Sequence, residues 1–197
     1  MDGLKVRRVW AALLLVWIVL LAGCGGAPKE EAGEGYTVVD ARGNEVYLPR
    51  PPRRILAANP GYDTILLGLV PPEYLAAENI RDTDPEVSFI AEEVKNVTPQ
   101  VREILNVPLE VIIKTKPDLI IVPGWVNADH VESYRQLGYP VLVCSKIKSM
   151  ETLKENIRLI AQALRRETAG ERIIAEMDRQ LAETDAVLAT LSGPKPV

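Results

Sequence analysis

The sequence predicts an α/β fold in which a parallel sheet carries helices on both faces and is followed by one long helix. Two observations support this prediction. Short apolar runs typical of buried strands alternate with helical segments between residues 54 and 144, an order typical of parallel sheets. After Ser149, apolar residues recur at helical spacing almost to the end of the chain.

The first predicted element is a β-hairpin. Tyr36–Asp40 and Glu45–Leu48 flank a short turn that contains Gly43, which is the pattern of two antiparallel strands. The proline-rich stretch 49–52 then interrupts any further ladder, because proline has no N–H to donate.

Strands and helices alternate in the central part of the chain. Four apolar runs predict strands at Arg54–Ala58, Leu75–Glu78, Leu119–Val122 and Val141–Cys144. Helices are predicted at Thr64–Leu69, Pro108–Lys114 and Ala128–Leu137, and short helical pieces broken by prolines are predicted within 79–107. Ligands of such sheets bind beyond the carboxyl ends of the strands. The candidate site therefore comprises Asn59–Tyr62, Ile80–Thr83, Pro123–Val126 and Ser145–Lys148.

Two helices are predicted at the end of the chain. Ser149 is a favourable cap for a helix that runs through Arg166, and Thr168 is a favourable cap for a second helix that reaches about Leu191. The second helix would have about 24 residues and a length of roughly 36 Å. It is therefore long enough to cross a whole domain.

The N-terminus is typical of a secretion signal. Three basic residues precede Val9–Leu21, which is almost entirely apolar. This run is shorter than the roughly 20 residues that a membrane-spanning helix needs, and it has the length of a signal-peptide core.

The apolar run ends in Leu21-Ala22-Gly23-Cys24, which resembles the bacterial lipobox. The resemblance implies that residues 1–23 are removed and that Cys24 is lipidated, which would anchor the protein to a membrane. The alternative is an uncleaved N-terminal membrane helix with a chance cysteine. Residues 24–35 are small, charged and flexible, and they are predicted to be a tether.

Composition excludes several classes of site. The chain has 197 residues, of which 47% are hydrophobic and 25% are charged, as in an ordinary globular protein. Its net charge of −4 argues against a nucleic-acid partner. His130 is the single histidine, and Cys24 and Cys144 are the two cysteines, so neither a zinc site with several histidines nor a Ser-His-Asp or Cys-His catalytic site is supported. We therefore predict a protein that is not an enzyme and that needs no cofactor.

Two segments carry a family resemblance. LPRPPRRILAANPGYDTILLGL (48–69) and VPLEVIIKTKPDLIIVPG (107–124) resemble the substrate-binding proteins of class III ABC importers, which are receptors for iron-siderophores, haem and cobalamin. LGYPVLVCS (137–145) and the helix from Ser149 continue the same order. In that family, two α/β lobes are joined by one long helix, and the ligand lies between the lobes.

The resemblance implies a domain organisation. Residues 36–166 would be the N-terminal lobe, 167–192 the linker helix, and 193–197 the start of a second lobe that is missing from this chain. We therefore expect a truncated receptor. It would be held by its lipid at the extracytoplasmic face of the cell membrane, and its partners would be an ABC-transporter permease and a metal-chelate or corrinoid ligand.

Two other functions remain open. The first alternative is an orphan single lobe that binds no ligand. The second is a metallocofactor enzyme-like protein on a related two-lobe scaffold. The second alternative would need a nucleophile–base pair or a cysteine cluster, and the sequence contains neither.

The resemblance also implies a docking residue. Glu110 matches the glutamate with which each lobe of the family pairs with an arginine of the permease. The alternative is a carboxylate that is favoured simply because it lies in the first turn of a helix.

The candidate ligand contacts follow the predicted strands. Trp125 offers a ring that can stack on a corrin, a haem or a catecholate, and its alternative is a loop tryptophan packed on its own lobe. After Asn59, Gly61 lets a ligand approach the backbone, and Tyr62 offers a ring and a hydroxyl, although Tyr62 can instead cover the start of the helix. Arg81 can pair with an anionic ligand, or it can be a solvated surface residue. His130 is expected on a solvated helix surface, and Cys144 as a small buried thiol.

Overall fold

The computed structural model describes residues 35–101 and 107–190. The predicted signal peptide 1–23, Cys24 and the tether up to residue 34 lie outside the described residues. The predicted end of the linker helix and residues 193–197 lie outside them as well.

The predicted hairpin is confirmed. Strand β1 (Tyr36–Val39) pairs antiparallel with β2 (Glu45–Leu48), with Tyr36 opposite Leu48. Alternate side chains are buried along both strands, as expected where one face of a strand pair packs on a core. Gly43 adopts a φ of +82° in the turn, a conformation that glycine adopts readily.

In the part of the chain that the structure describes, five short strands follow the hairpin: β3 (Ile55–Ala57), β4 (Glu78–Asn79), β5 (Gln100–Val101), β6 (Leu119–Val122) and β7 (Val141–Val143). Strands β3, β6 and β7 form a parallel sheet in that order, and β4 pairs with β5 in a separate parallel ladder. The run at Leu75–Glu78 is only partly a strand, because Leu75 makes one isolated parallel bridge to Ile55 and the regular pairing begins at Glu78. Strand β5 was not predicted, since two residues are too few to show a period.

The described residues contain six α-helices and one 3₁₀ turn at Pro72–Tyr74. The helices are α1 (Pro60–Leu69), α2 (Ala91–Val94), α3 (Leu109–Thr115), α4 (Ala128–Gln136), α5 (Met150–Ala163) and α6 (Glu167–Thr190). The side chain of Asn59 caps α1, and Ser149 forms a reciprocal capping box with Thr152 at the start of α5. Within the described ranges, no helix combines the length and the apolar character that crossing a bilayer requires.

The core lies on both faces of the parallel sheet. Successive side chains of a strand point to opposite faces, so Ile121 packs with one cluster while its neighbour Ile120 packs with the other. The first cluster contains buried residues of α1, α5 and α6, and the second contains Ile112 of α3 and Val131 of α4. The predicted α/β class, with helices on both faces of a parallel sheet, is therefore confirmed.

Helices α5 and α6 divide at a different place from the predicted one. Arg165 has a φ of +54°, which ends α5 early, and α6 begins at Glu167, so Thr168 lies inside the helix rather than capping it. At Gly170, an added Cβ would lie 2.7 Å from Cβ of Ala161, so the two helices cross closely there. Every residue from Asp178 to Thr190 is exposed. The first part of α6 therefore packs on the lobe, whereas no described residue buries its second part.

Candidate functional site

The candidate ligand residues lie at one edge of the lobe. Strands β3, β6 and β7 run parallel, and the bridge from Leu75 to Ile55 gives the chain leading into β4 the same direction. Because parallel strands end at the same edge, the segments with Asn59, Arg81 and Trp125 emerge there together. Trp125 is 44% exposed, Arg81 is exposed, and Asn59 is half-buried. We call this the carboxyl edge.

The loop that carries Trp125 is held from two sides. Nη2 of Arg42, in the hairpin turn, donates to the carbonyl oxygens of Gly124 at 3.3 Å and Val126 at 2.6 Å, which flank Trp125. An added Cβ at Gly124 would lie 2.5 Å from the carbonyl oxygen of Cys144, so only glycine fits this close approach of the segments after β6 and β7. The loop thus presents an exposed indole on a fixed backbone.

The residues between β3 and the first turn of α1 differ in their exposure to solvent. Oδ1 of Asn59 accepts a hydrogen bond of 2.9 Å from the N–H of Gly61, and Gly61 itself is exposed. Tyr62 is only 3% exposed and packs in the first core cluster, where burial and the neighbouring Cys144 raise its pKa. Its ring therefore covers the start of the helix, the alternative considered for it, and is not available at the carboxyl edge.

Arg81 follows β4 with one residue, Ile80, between them. Its N–H donates to Oδ1 of Asn79 at 2.9 Å, which shapes the turn, and its side chain is exposed. The next residue, Asp82, is buried instead. The loop therefore directs a cation outward and a carboxylate inward.

Asp82 belongs to a buried carboxylate cluster with Asp63 of α1 and Glu78 of β4, whose facing oxygens all lie within 4.8 Å of one another. Burial, followed by the charge of Asp82, raises the pKa of Glu78 to about 8. Burial first, and then the charges of Glu78 and Asp82, raise the pKa of Asp63 well above its usual range, and burial raises the pKa of Asp82. Among the described residues, this is the group of side chains with the spacing to hold a metal ion.

Sequence reasoning missed this cluster. None of the three carboxylates is among the candidate residues that the sequence predicts. One signal was present, because Asp63 stands three residues before Leu66 on the apolar face of a helical segment. A carboxylate on such a face needs a partner inside the fold.

Glu110 is exposed in the first turn of α3. A three-residue connection joins the end of α3 to the start of β6, so the helix runs back along the sheet and its amino end points toward the carboxyl edge. The predicted docking residue is therefore accessible from solvent on the side of the lobe where the strands end.

Two further predicted features can be placed. His130 is exposed on α4, and Cys144 is a free, fully buried thiol. Burial raises the pKa of this thiol to about 12, as expected for an inert packing residue.

A shallow groove of about 280 Å³ lies at the other end of β7, where Tyr47, Arg135 and Tyr139 are among its lining residues. This groove is separate from the carboxyl edge.

Comparisons with known proteins identify the fold. The sequence profile described as "Periplasmic binding protein" matches residues 55–197, more than half of the chain. A search of curated proteins finds no match.

Solved structures agree with the profile. A periplasmic solute binding protein from Veillonella parvula is 19% identical with a TM-score of 0.67, and the match covers 83% of this chain and 51% of that one. The periplasmic heme-binding protein RhuT from Roseiflexus sp. RS-1 is 22% identical with a TM-score of 0.61, over 72% of this chain and 52% of that one. The siderophore binding protein BauB is 20% identical with a TM-score of 0.59, over 80% of this chain and 56% of that one.

This chain thus spans about half the length of the solved structures that it matches. The described residues form one α/β lobe followed by a long helix, which confirms the resemblance to the substrate-binding proteins of class III ABC importers. The chain belongs to the periplasmic binding protein family.

Proposed function

We propose that this protein is the lipid-anchored solute-binding component of an ABC importer and that its carboxyl edge contacts a haem, ferric-siderophore or cobalamin-type ligand. The observation that carries the proposal is the shared edge of Asn59, Arg81 and Trp125, two of them exposed and all following strands of one direction. Two of the solved structures of this fold are named as heme-binding or siderophore-binding proteins. The extracytoplasmic location that we propose is the one that the family's name describes.

The chemistry of the edge suits such ligands. The indole of Trp125 offers an apolar face for stacking on a porphyrin, a corrin or a catecholate. The guanidinium of Arg81 can bind a carboxylate through two parallel N–H bonds. Asn59 and Gly61 add a short stretch of backbone that a ligand can approach closely, because Gly61 has no side chain.

We also propose the two attachments that the sequence predicts. Lipid on Cys24 would hold the protein at the membrane, and Glu110 would pair with an arginine of the permease. The exposure of Glu110 supports its part of this proposal, since a docking charge has to be reachable by a partner. A Glu110→Arg variant is expected to bind ligand normally but to lose stimulation of the permease ATPase in proteoliposomes.

The ligand proposal is tested by titrating the full chain with hemin, ferric acinetobactin and cyanocobalamin. We expect saturable binding of one of these, weakened about 10- to 100-fold by Arg81→Ala, in line with the ~1.5–3 kcal/mol of a hydrogen bond to a charged group. Trp125→Ala should weaken binding as well. Bound and free ligand are measured by equilibrium dialysis.

A matched control uses another exposed arginine. Arg172→Ala should leave hemin binding unchanged, because Arg172 is exposed on α6 and lies in none of the segments that follow the strands. Equal losses of binding in Arg172→Ala and Arg81→Ala, or no saturation with any of the three probes, would contradict the proposal.

A further inference from the structure

The buried carboxylate cluster joins three separate elements. Asp63 lies in the first turn of α1, Glu78 in strand β4, and Asp82 in the loop that follows β4. Their side chains are 1%, 1% and 5% exposed, respectively. Since each offers one oxygen within 4.8 Å of the others, three carboxylates share a volume from which solvent is excluded.

Most of the oxygens in this cluster lack a hydrogen-bond partner outside it. Both carboxylate oxygens of Asp63, together with Oε2 of Glu78 and Oδ2 of Asp82, are buried and, among the described residues, accept no hydrogen bond from any group outside the cluster. The other oxygen of Glu78 accepts from the N–H of Asn79 at 3.1 Å, and the other oxygen of Asp82 accepts from Ser88 Oγ at 3.4 Å. None of the ion pairs found in the described ranges includes any of the three.

A second buried carboxylate in the same lobe shows the contrast. Asp40 is also buried, but its oxygens accept from the N–H groups of Arg42 at 2.9 Å and Asn44 at 2.8 Å, and from Nη2 of Arg135 at 2.9 Å. A buried carboxylate needs such partners because the desolvation of its charge is costly. Among the described residues, no N–H group and no cation donates to Asp63, whose buried side chain faces the carboxyl groups of Glu78 and Asp82.

We propose that Asp63, Glu78 and Asp82 form a binding site for a divalent cation of the calcium type. Carboxylate oxygens are the ligands that hard cations prefer, and Ca²⁺ takes them at about 2.3–2.6 Å. Mg²⁺ demands near-ideal octahedral geometry and usually keeps several waters, which a cluster closed to solvent does not offer, so Ca²⁺ fits these residues better.

An ion at this site would hold together two parts of the carboxyl edge. Asp63 is four residues after Asn59, and Asp82 directly follows Arg81, so one ion would tie the start of α1 to the loop after β4. This is a structural role, separate from ligand binding, and it does not depend on which ligand the protein takes.

The test is calcium binding by the full chain after treatment with a chelator and removal of the chelator. Isothermal titration with CaCl₂ alone is expected to show one site per chain, and MgCl₂ is expected to bind at least tenfold more weakly. Asp63→Asn should reduce calcium affinity at least 100-fold. Because Asp63→Asn removes a charge from a crowded cluster, the variant is expected to fold, which circular dichroism checks.

A control variant and a second measurement test the calcium site independently. Glu93→Gln changes an exposed acid on α2 and should leave the calcium titration unchanged. Calcium should also raise the melting temperature of the wild type and of Glu93→Gln, but not that of Asp63→Asn. No calcium binding by the chelator-treated wild type, or equal binding by Asp63→Asn, would overturn the site whether or not hemin or another ligand binds at the edge.

Discussion

Nη2 of Arg42 donates a hydrogen bond of 2.6 Å to the carbonyl oxygen of Val126. These residues are far apart in the chain, and the bond joins the hairpin turn to the loop after β6. The hairpin is further attached through Ala41, whose N–H donates to the carbonyl of Val143 at 2.9 Å. The hairpin therefore holds the segment that exposes Trp125 in place through these hydrogen bonds.

We predict that Arg42→Ala loosens this loop without unfolding the lobe. The charge-assisted bonds to two carbonyls would be lost, at a cost of about 1–3 kcal/mol. In a chain with Trp10→Phe and Trp17→Phe, Trp125 is the only tryptophan, and its fluorescence anisotropy should fall. Arg172→Ala, an exposed change on α6, is the control; equal anisotropy in both variants would show that Arg42 does not brace the loop.

We predict that Asp40→Ala destabilises the protein by about 2–3 kcal/mol. Asp40 is buried, and its loss would remove the acceptor of Arg135 and of two backbone N–H groups in the hairpin turn. Urea unfolding followed by circular dichroism measures the change. Glu86→Ala, at an exposed position, should change the free energy of unfolding by less than about 0.5 kcal/mol, and an equally small effect of Asp40→Ala would contradict the prediction.

We predict that the Cys144 thiol does not react in the folded protein at pH 8. Burial raises its pKa to about 12, so almost no thiolate is present, and the sulfur is inaccessible as well. Iodoacetamide labelling followed by peptide mass spectrometry, which separates Cys144 from Cys24, should show modification of Cys144 only after unfolding in urea. Rapid labelling of the native protein would show that the strand end opens readily.

We predict that stability falls with rising pH when divalent cations are chelated. The pKa values of Asp63, Glu78 and Asp82 are raised in the folded state, so the folded protein holds protons that the unfolded chain releases. Their stabilising effect is complete below the unfolded pKa values and is lost as the pH rises through the folded ones, about 8 for Glu78.

In EDTA, the melting temperature of the wild type should therefore be at least about 5 °C lower at pH 8.5 than at pH 5.5. Other groups also titrate in this interval, so the deciding quantity is the difference from a variant. Asp63→Asn combined with Glu78→Gln should flatten the dependence, whereas Glu92→Gln combined with Glu93→Gln, both exposed, should not. Identical pH profiles for the wild type and the first variant would contradict the prediction.

Local sequence patterns were sufficient to predict the elements whose structure depends on residues close in the chain. The hairpin at β1 and β2, the strand Leu119–Val122 and the Ser149 cap follow from alternation, apolar runs and side-chain capping, all of which act over a few residues. The sequence also predicts a common edge for Asn59, Arg81 and Trp125, because parallel strands have to end on one side.

Tertiary structure alone decided features that depend on distant partners. Tyr62 is buried because Cys144 and the first core cluster lie against it, and α5 ends at Ala163 because Arg165 turns the chain. The meeting of Asp63, Glu78 and Asp82 likewise arises only when α1 packs beside β4. A sequence shows which residues carry charge, but the packing of the elements decides whether three carboxylates are desolvated together. That packing raises the pKa of each carboxyl group and also creates the site that we propose for calcium.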